Sequence, residues 1–162
     1  MVLWLTGAAF AQGYQPPNST IGPAVGYPWL IGGRGEAWFG DEITGELGAG
    51  TGSLTDGADG DGLGVDLTFR WRPDALCFGC ESRVQASFGV GLTGLVTPDL
   101  ALDGPWGVTV GPDLAMTALY WFSPTYGIAL TIHGGAGAGW LGDDFDAVEV
   151  RPWGFATVGL AF

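Results

Sequence analysis

Lysine is absent from this chain of 162 residues, and its five cations, all arginine, face 17 acidic residues for a formal charge of −12. Phosphate backbones are bound through clustered Lys and Arg, so the charge balance excludes nucleic acid as a partner. No window of 18 consecutive residues is apolar, which excludes a transmembrane helix. There is one histidine, His133, and there are two cysteines, Cys77 and Cys80. Zinc bound by that C-x-x-C would need two further ligands, and a thioredoxin-like site would need a βαβ context that the chain lacks. Two cysteines this close in an oxidising compartment predict a local disulfide, and no cofactor is expected.

Other features are abundant. Glycine accounts for 31 residues and tryptophan for 8, with 47% hydrophobic and 13% aromatic residues. Such glycine content could signal disorder, but a chain this apolar does not stay unfolded. The length suits one domain, here 12–162, preceded by a segment 1–11 that reads M-V-L-W-L-T-G-A-A-F-A. That segment fits the end of a secretory signal peptide closing on A-x-A, although no basic leader precedes it. The alternative is a first strand with Val2, Trp4, Thr6, Ala8 and Phe10 on one face.

The last stretch, Val150 to Phe162, shows the pattern that organises the rest. Gly154, Ala156, Val158, Leu160 and Phe162 alternate with Thr157 and Gly159, a period of two that belongs to a strand. Similar segments run from about Trp29 to Gly40, Ile43 to Ser53, Leu63 to Arg72, Arg83 to Leu95, Trp106 to Phe122 and Tyr126 to Trp140. In the third, Leu63, Val65, Leu67, Phe69 and Trp71 form an unbroken apolar face. Pro112 within the fifth suggests a bulge, or a membrane strand that begins near Leu114. Seven strands are clear, and a barrel with both ends on one side of a membrane needs an even number. The eighth must lie in Met1 to Gln12 or in about Thr20 to Tyr27. The expected fold is therefore all-β, an antiparallel up-and-down transmembrane β-barrel of eight strands. Trp29, Trp38, Trp71, Trp106, Tyr120, Trp121, Tyr126, Trp140 and Trp153, at strand ends, are read as two interfacial girdles.

The segment L-Y-W-F-S-P-T-Y-G-I-A-L-T-I-H-G-G-A-G, with the terminal G-F-A-T-V-G-L-A-F, resembles the last two hairpins of small eight-stranded outer-membrane barrels of Gram-negative bacteria. The resemblance implies export with a signal peptide, residence in the outer membrane among lipid and lipopolysaccharide, and insertion by the barrel-assembly machinery. That machinery recognises a C-terminal strand ending in Phe, which Phe162 matches; Leu160 departs from the aromatic often found two residues earlier.

On the face opposite the apolar one lie Arg34, Arg70, Arg83 and Arg151, with Glu36, Glu46, Asp66 and Asp113. Four against four predicts a near-neutral ion-pair network in a side-chain-filled lumen, with His133 as a hydrogen-bonding member. The other 13 acids and Arg72 then carry the whole excess in loops and turns. Thr55 to Gly62 and Asp143 to Asp146 are acidic loops on the outer side that could attract divalent cations bridging lipopolysaccharide phosphates. The first lacks the complete ligand pattern of a calcium loop, so no resident metal is expected. No Ser/His/Asp set is arguable, and Asp113 or Ser87 would join His133 only through strand phase. The expected role is structural or surface-interacting rather than catalytic. The alternatives are a narrow, porin-like channel for small solutes, or a secreted soluble β-barrel or sandwich whose apolar face is a core that binds an apolar ligand.

Overall fold

A computed structural model describes residues 18–27, 31–40, 42–51, 63–73, 76–79, 82–98, 106–141 and 144–162, with side chains left aside at 97, 98, 106, 141 and 144–147. Nine strands follow one another: β1 (Ser19–Tyr27), β2 (Ile31–Trp38), β3 (Ile43–Thr51), β4 (Leu63–Trp71), β5 (Cys77–Phe78), β6 (Val84–Pro98), β7 (Trp106–Trp121), β8 (Gly127–Leu141) and β9 (Asp144–Ala161). Each long strand pairs antiparallel with its sequence neighbours, β9 returns to β1, and β4 pairs with β6 across the two-residue β5. The result is a closed, eight-stranded, up-and-down barrel in which β5 is an accessory rung on β6.

The eighth barrel strand is β1, the second of the two segments considered; Met1 to Ala11 lies outside the described residues. The closing strand starts at Asp144 rather than near Val150, so most of the acidic stretch after Gly142 is strand. Pro112 introduces no bulge. The β7–β8 register is the same on both sides of it, Val110↔Ala138 and Asp113↔Gly135, and only the pairs between them are missing. Proline withholds one donor from that ladder without adding a residue to it.

Alternation decides which side of the wall is apolar. In β4, Leu67, Phe69 and Trp71 are 49%, 53% and 51% exposed, whereas Asp66, Thr68 and Arg70 are at most 2% exposed. The same phase holds in β7, β8 and β9, where Leu114, Met116, Ile128, Leu130, Val158 and Leu160 face outward. A soluble binder would enclose these side chains; here they form the outer wall, and the polar phase fills the lumen.

The turns beside the C-terminus are compact. Gly40 takes φ 85° between β2 and β3, and Gly79 takes φ 69° after β5, a region where a side chain is strained. β5 is fastened to β6 by Cys77↔Ser87 and Phe78↔Ala86, with the Phe78 and Phe88 rings edge to face at 6.1 Å. Cys77 is disulfide-bonded; Cys80 lies outside the described residues.

Candidate functional site

Strand phase brings side chains from five strands to one buried cluster. β2 contributes Arg34 and Glu36, β3 Glu46, β4 Asp66 and Arg70, β7 Asp113 and β8 His133, every one 4% exposed or less. Just past the end of β4 comes Arg72, also buried.

Arg70 is the hub. Its Nε donates to Asp113 Oδ1 at 2.5 Å, and its Nη1 donates to Glu46 Oε2 at 3.0 Å and lies 3.5 Å from Glu36 Oε1. Arg34 donates to Glu46 through Nη1 and to Asp66 Oδ2 through Nη2 at 2.5 Å. Its guanidinium carbon lies 3.7 Å from the centre of the Phe155 ring, so a cation–π contact supplements the ion pairs. His133 links the two halves. A guanidinium only donates, so at 2.6 Å from Arg34 Nη1 the Nε2 atom must accept. Nδ1–H then donates to Asp113 Oδ2 at 2.9 Å, and the Trp153 Nε1–H reaches the same oxygen at 3.3 Å. Charge-assisted bonds of this kind are roughly twice as strong as neutral ones, and those of the guanidiniums leave little freedom for any member to reorient.

Arg72 differs from expectation. It belongs to the lumen, not to the solvated excess: Nη2 donates to Glu36 at 2.7 Å and Nη1 to the Thr117 hydroxyl at 2.9 Å. Its even-numbered position keeps the inward phase of β4, and its backbone amide bonds the Glu42 carbonyl, so the strand's path continues one residue further. A long aliphatic stem then carries the charge back into the barrel. Arg83 and Arg151, expected in the network, are not brought into the cluster. Arg83 precedes β6 at the rim and is exposed. Arg151 lies on the part of β9 beyond β1, where its side chain, 29% exposed, meets Glu149 at 3.4 Å. Among the described residues the buried set is three guanidiniums against four carboxylates, with His133 between them.

Apolar residues flank the cluster. At the C-terminal end Leu119, Trp121, Ala129 and Ala161 pack together, and on the other side Leu95, Trp153 and Phe155 do the same. Trp121 and Trp153 were expected in the girdles. Both sit on the inward phase of their strands and fill the lumen instead, and Trp38 lies with its ring 5.7 Å from the Arg72 guanidinium. Trp71, Tyr120 and Tyr126 do point outward. Threonines complete the filling, with hydroxyl pairs Thr68–Thr93 at 2.7 Å and Thr117–Thr131 at 2.9 Å.

Chemically, His133 and Asp113 have the pairing of a general base and its orienting carboxylate. Neither side chain has any solvent exposure. Ser87 lies 3.5 Å from Arg72 Nη1 and takes no part in that pair. The arrangement ties most of its polar atoms to its own members. No group of three or more His, Cys, Asp or Glu among the described residues is placed to hold a metal ion. The Thr55 to Gly62 loop and Asp143 lie outside the described residues. Arg72, Trp121, Trp153 and Phe155 are the lumen residues that sequence reasoning missed, and following the inward phase of the Leu63 to Arg72 segment to its last residue would have found Arg72.

Comparison with known protein families, with curated proteins and with solved structures gives no match.

Proposed function

We propose that this chain is an outer-membrane β-barrel of the Gram-negative type, with a side-chain-filled lumen and a structural or surface-interaction role rather than a catalytic one. The observation that carries the reading is the inversion of the wall, with large apolar side chains outside on strand after strand and the ion-pair network inside. Water-soluble monomers rarely expose apolar patches beyond a few hundred Å², whereas a strand in hydrocarbon needs that face and a closed ring that satisfies its backbone. On this reading the partners are outer-membrane lipid and lipopolysaccharide, the barrel-assembly machinery acting on Phe162, and divalent cations at the acidic outer loops. Met1 to Ala11 would be the remnant of its signal peptide. The aromatic clusters on either side of the charged layer favour a filled lumen over a narrow channel.

Heat-modifiability on a denaturing gel tests the reading. The protein purified in detergent is expected to change mobility on boiling and to precipitate when detergent is removed. A preparation that stays monodisperse in water and shows one mobility contradicts it.

A further inference from the structure

The strands of the barrel are staggered, and among the described residues the stagger leaves two long stretches of strand with a long neighbouring strand on one side only. The first is the start of β6: β4 stops pairing at Trp71↔Val90, leaving Val84 to Gly89, and β5 covers that stretch through Cys77↔Ser87 and Phe78↔Ala86. The second is the start of β9. β1 pairs with it only from Tyr27↔Gly154 onward, so up to Trp153 its described pairing is with β8 alone. Within this stretch Val150 is 81% exposed, the highest value among the exposed large apolar residues described.

We propose that this edge of β9 is a self-association site, where two copies of the chain pair antiparallel about Val150. The argument rests in part on the membrane reading. Val148 sits opposite Trp140, an aromatic on the outward phase of β8 far from the C-terminal rim. If Trp140 marks the interface, the edge from Val148 to Pro152 lies at or below it. Unpaired backbone groups there cost several kcal/mol each, and open sheet edges do not persist in hydrocarbon. The sequence selects the partner. Val148-Glu149-Val150-Arg151-Pro152 has opposite charges placed symmetrically about its centre. Antiparallel pairing centred on Val150 therefore sets Glu149 against Arg151 of the second copy, and Arg151 against its Glu149, on one face. On the other face it sets Val150 against Val150 and Val148 against Pro152. Pro152 has no amide proton but still accepts, and the amide of Val148 can donate to it. Such an interface is isologous, as closed two-fold dimers require. Charges and proline on an edge commonly deter pairing, but here the two registers centred one residue to either side set Glu149 against Glu149 or Arg151 against Arg151, and the register centred on Val150 sets opposite charges together.

Cysteine crosslinking in lipid vesicles tests the pairing, since Cys77 is already held in a disulfide. In the symmetric register the two Val150 Cα atoms are about 5 Å apart, within disulfide reach. Full-length Val150→Cys is expected to give a disulfide-linked dimer on oxidation. Val158→Cys, on the same outward face where β9 has neighbours on both sides, is expected to stay monomeric. Glu149→Arg should lower the Val150→Cys dimer yield at least tenfold, and adding Arg151→Glu should restore it. Equal crosslinking at 150 and 158, no crosslinking at 150, or failure of the double reversal to restore the dimer overturns the proposal. The heat shift is read on the same gel. If it persists while the dimer is absent, only the pairing fails; if the unsubstituted chain shows no shift, the membrane reading has failed first.

Discussion

Replacing Arg70 with methionine is expected to destabilise the barrel by about 3–5 kcal/mol, the range for removing one partner of a buried ion pair. The side chain has no exposure and lies within 3.5 Å of Glu36, Glu46 and Asp113. Methionine fills much of the volume and removes the charge, so the loss is electrostatic rather than a cavity effect. After the substitution Glu46 keeps Arg34, Glu36 keeps Arg72 and Asp113 keeps His133 and Trp153. The four carboxylates then face only two guanidiniums. Adding Asp113→Asn to Arg70→Met relieves part of that excess and should recover more than about 1 kcal/mol, the net scale of one ordinary hydrogen bond. Urea titration of the folded, heat-shifted band measures both. A single substitution that costs under about 1 kcal/mol would mean the network is solvated, as exposed pairs are.

The second large effect concerns backbone approach. Gly137 on β8 faces Gly111 on β7, and a Cβ built on Gly137 overlaps the carbonyl oxygen of Val110 and comes within 2.6 Å of the Gly111 Cα. Both obstacles are backbone, which cannot rotate away. This is the stretch beside Pro112 where the β7–β8 ladder omits its pairs and the two glycine backbones approach closely. Gly137→Leu is therefore expected to cost about 3 kcal/mol or more, at the upper end of overpacking, and to prevent the folded band from forming in part of the preparation. Gly94→Ala is the control, because its nearest non-adjacent atom is the Leu67 carbonyl at 4.0 Å. It should leave the folded fraction unchanged.

How much of this was legible in the sequence depends on which interaction set each feature. The barrel and the inward set Arg34, Glu36, Glu46, Asp66, Arg70, Asp113 and His133 follow from the period of two, which is local and survives any error in loops. Strand ends were harder to place. Phase gives both Arg72 and Arg83 an inward place, but one lies a residue past β4 and the other a residue before β6, where phase no longer decides; the stem of Arg72 reaches back to Glu36, whereas Arg83 stays at the rim. Arg151 has the inward phase but lies where β9 outruns β1, and stagger is a property of the whole ring that no single strand encodes. The tryptophans misled for a related reason. Strand-end position suggested a girdle for Trp121 and Trp153, yet their odd-numbered phase puts them inside with Leu119 and Phe155. β5 escaped notice because two residues are too few to show a period.

The central claim is that the Leu67 phase of the wall meets hydrocarbon and the Thr68 phase does not. It is tested most directly by nitroxide labels at Leu67→Cys and Leu130→Cys in the protein reconstituted into lipid vesicles. Collision with oxygen, which concentrates in hydrocarbon, is compared with collision with a water-soluble nickel complex. The account predicts high oxygen and low nickel accessibility at both positions, since Leu67 and Leu130 point outward from two different strands. Ready access of the nickel complex to both labels would place that face in water and contradict the account.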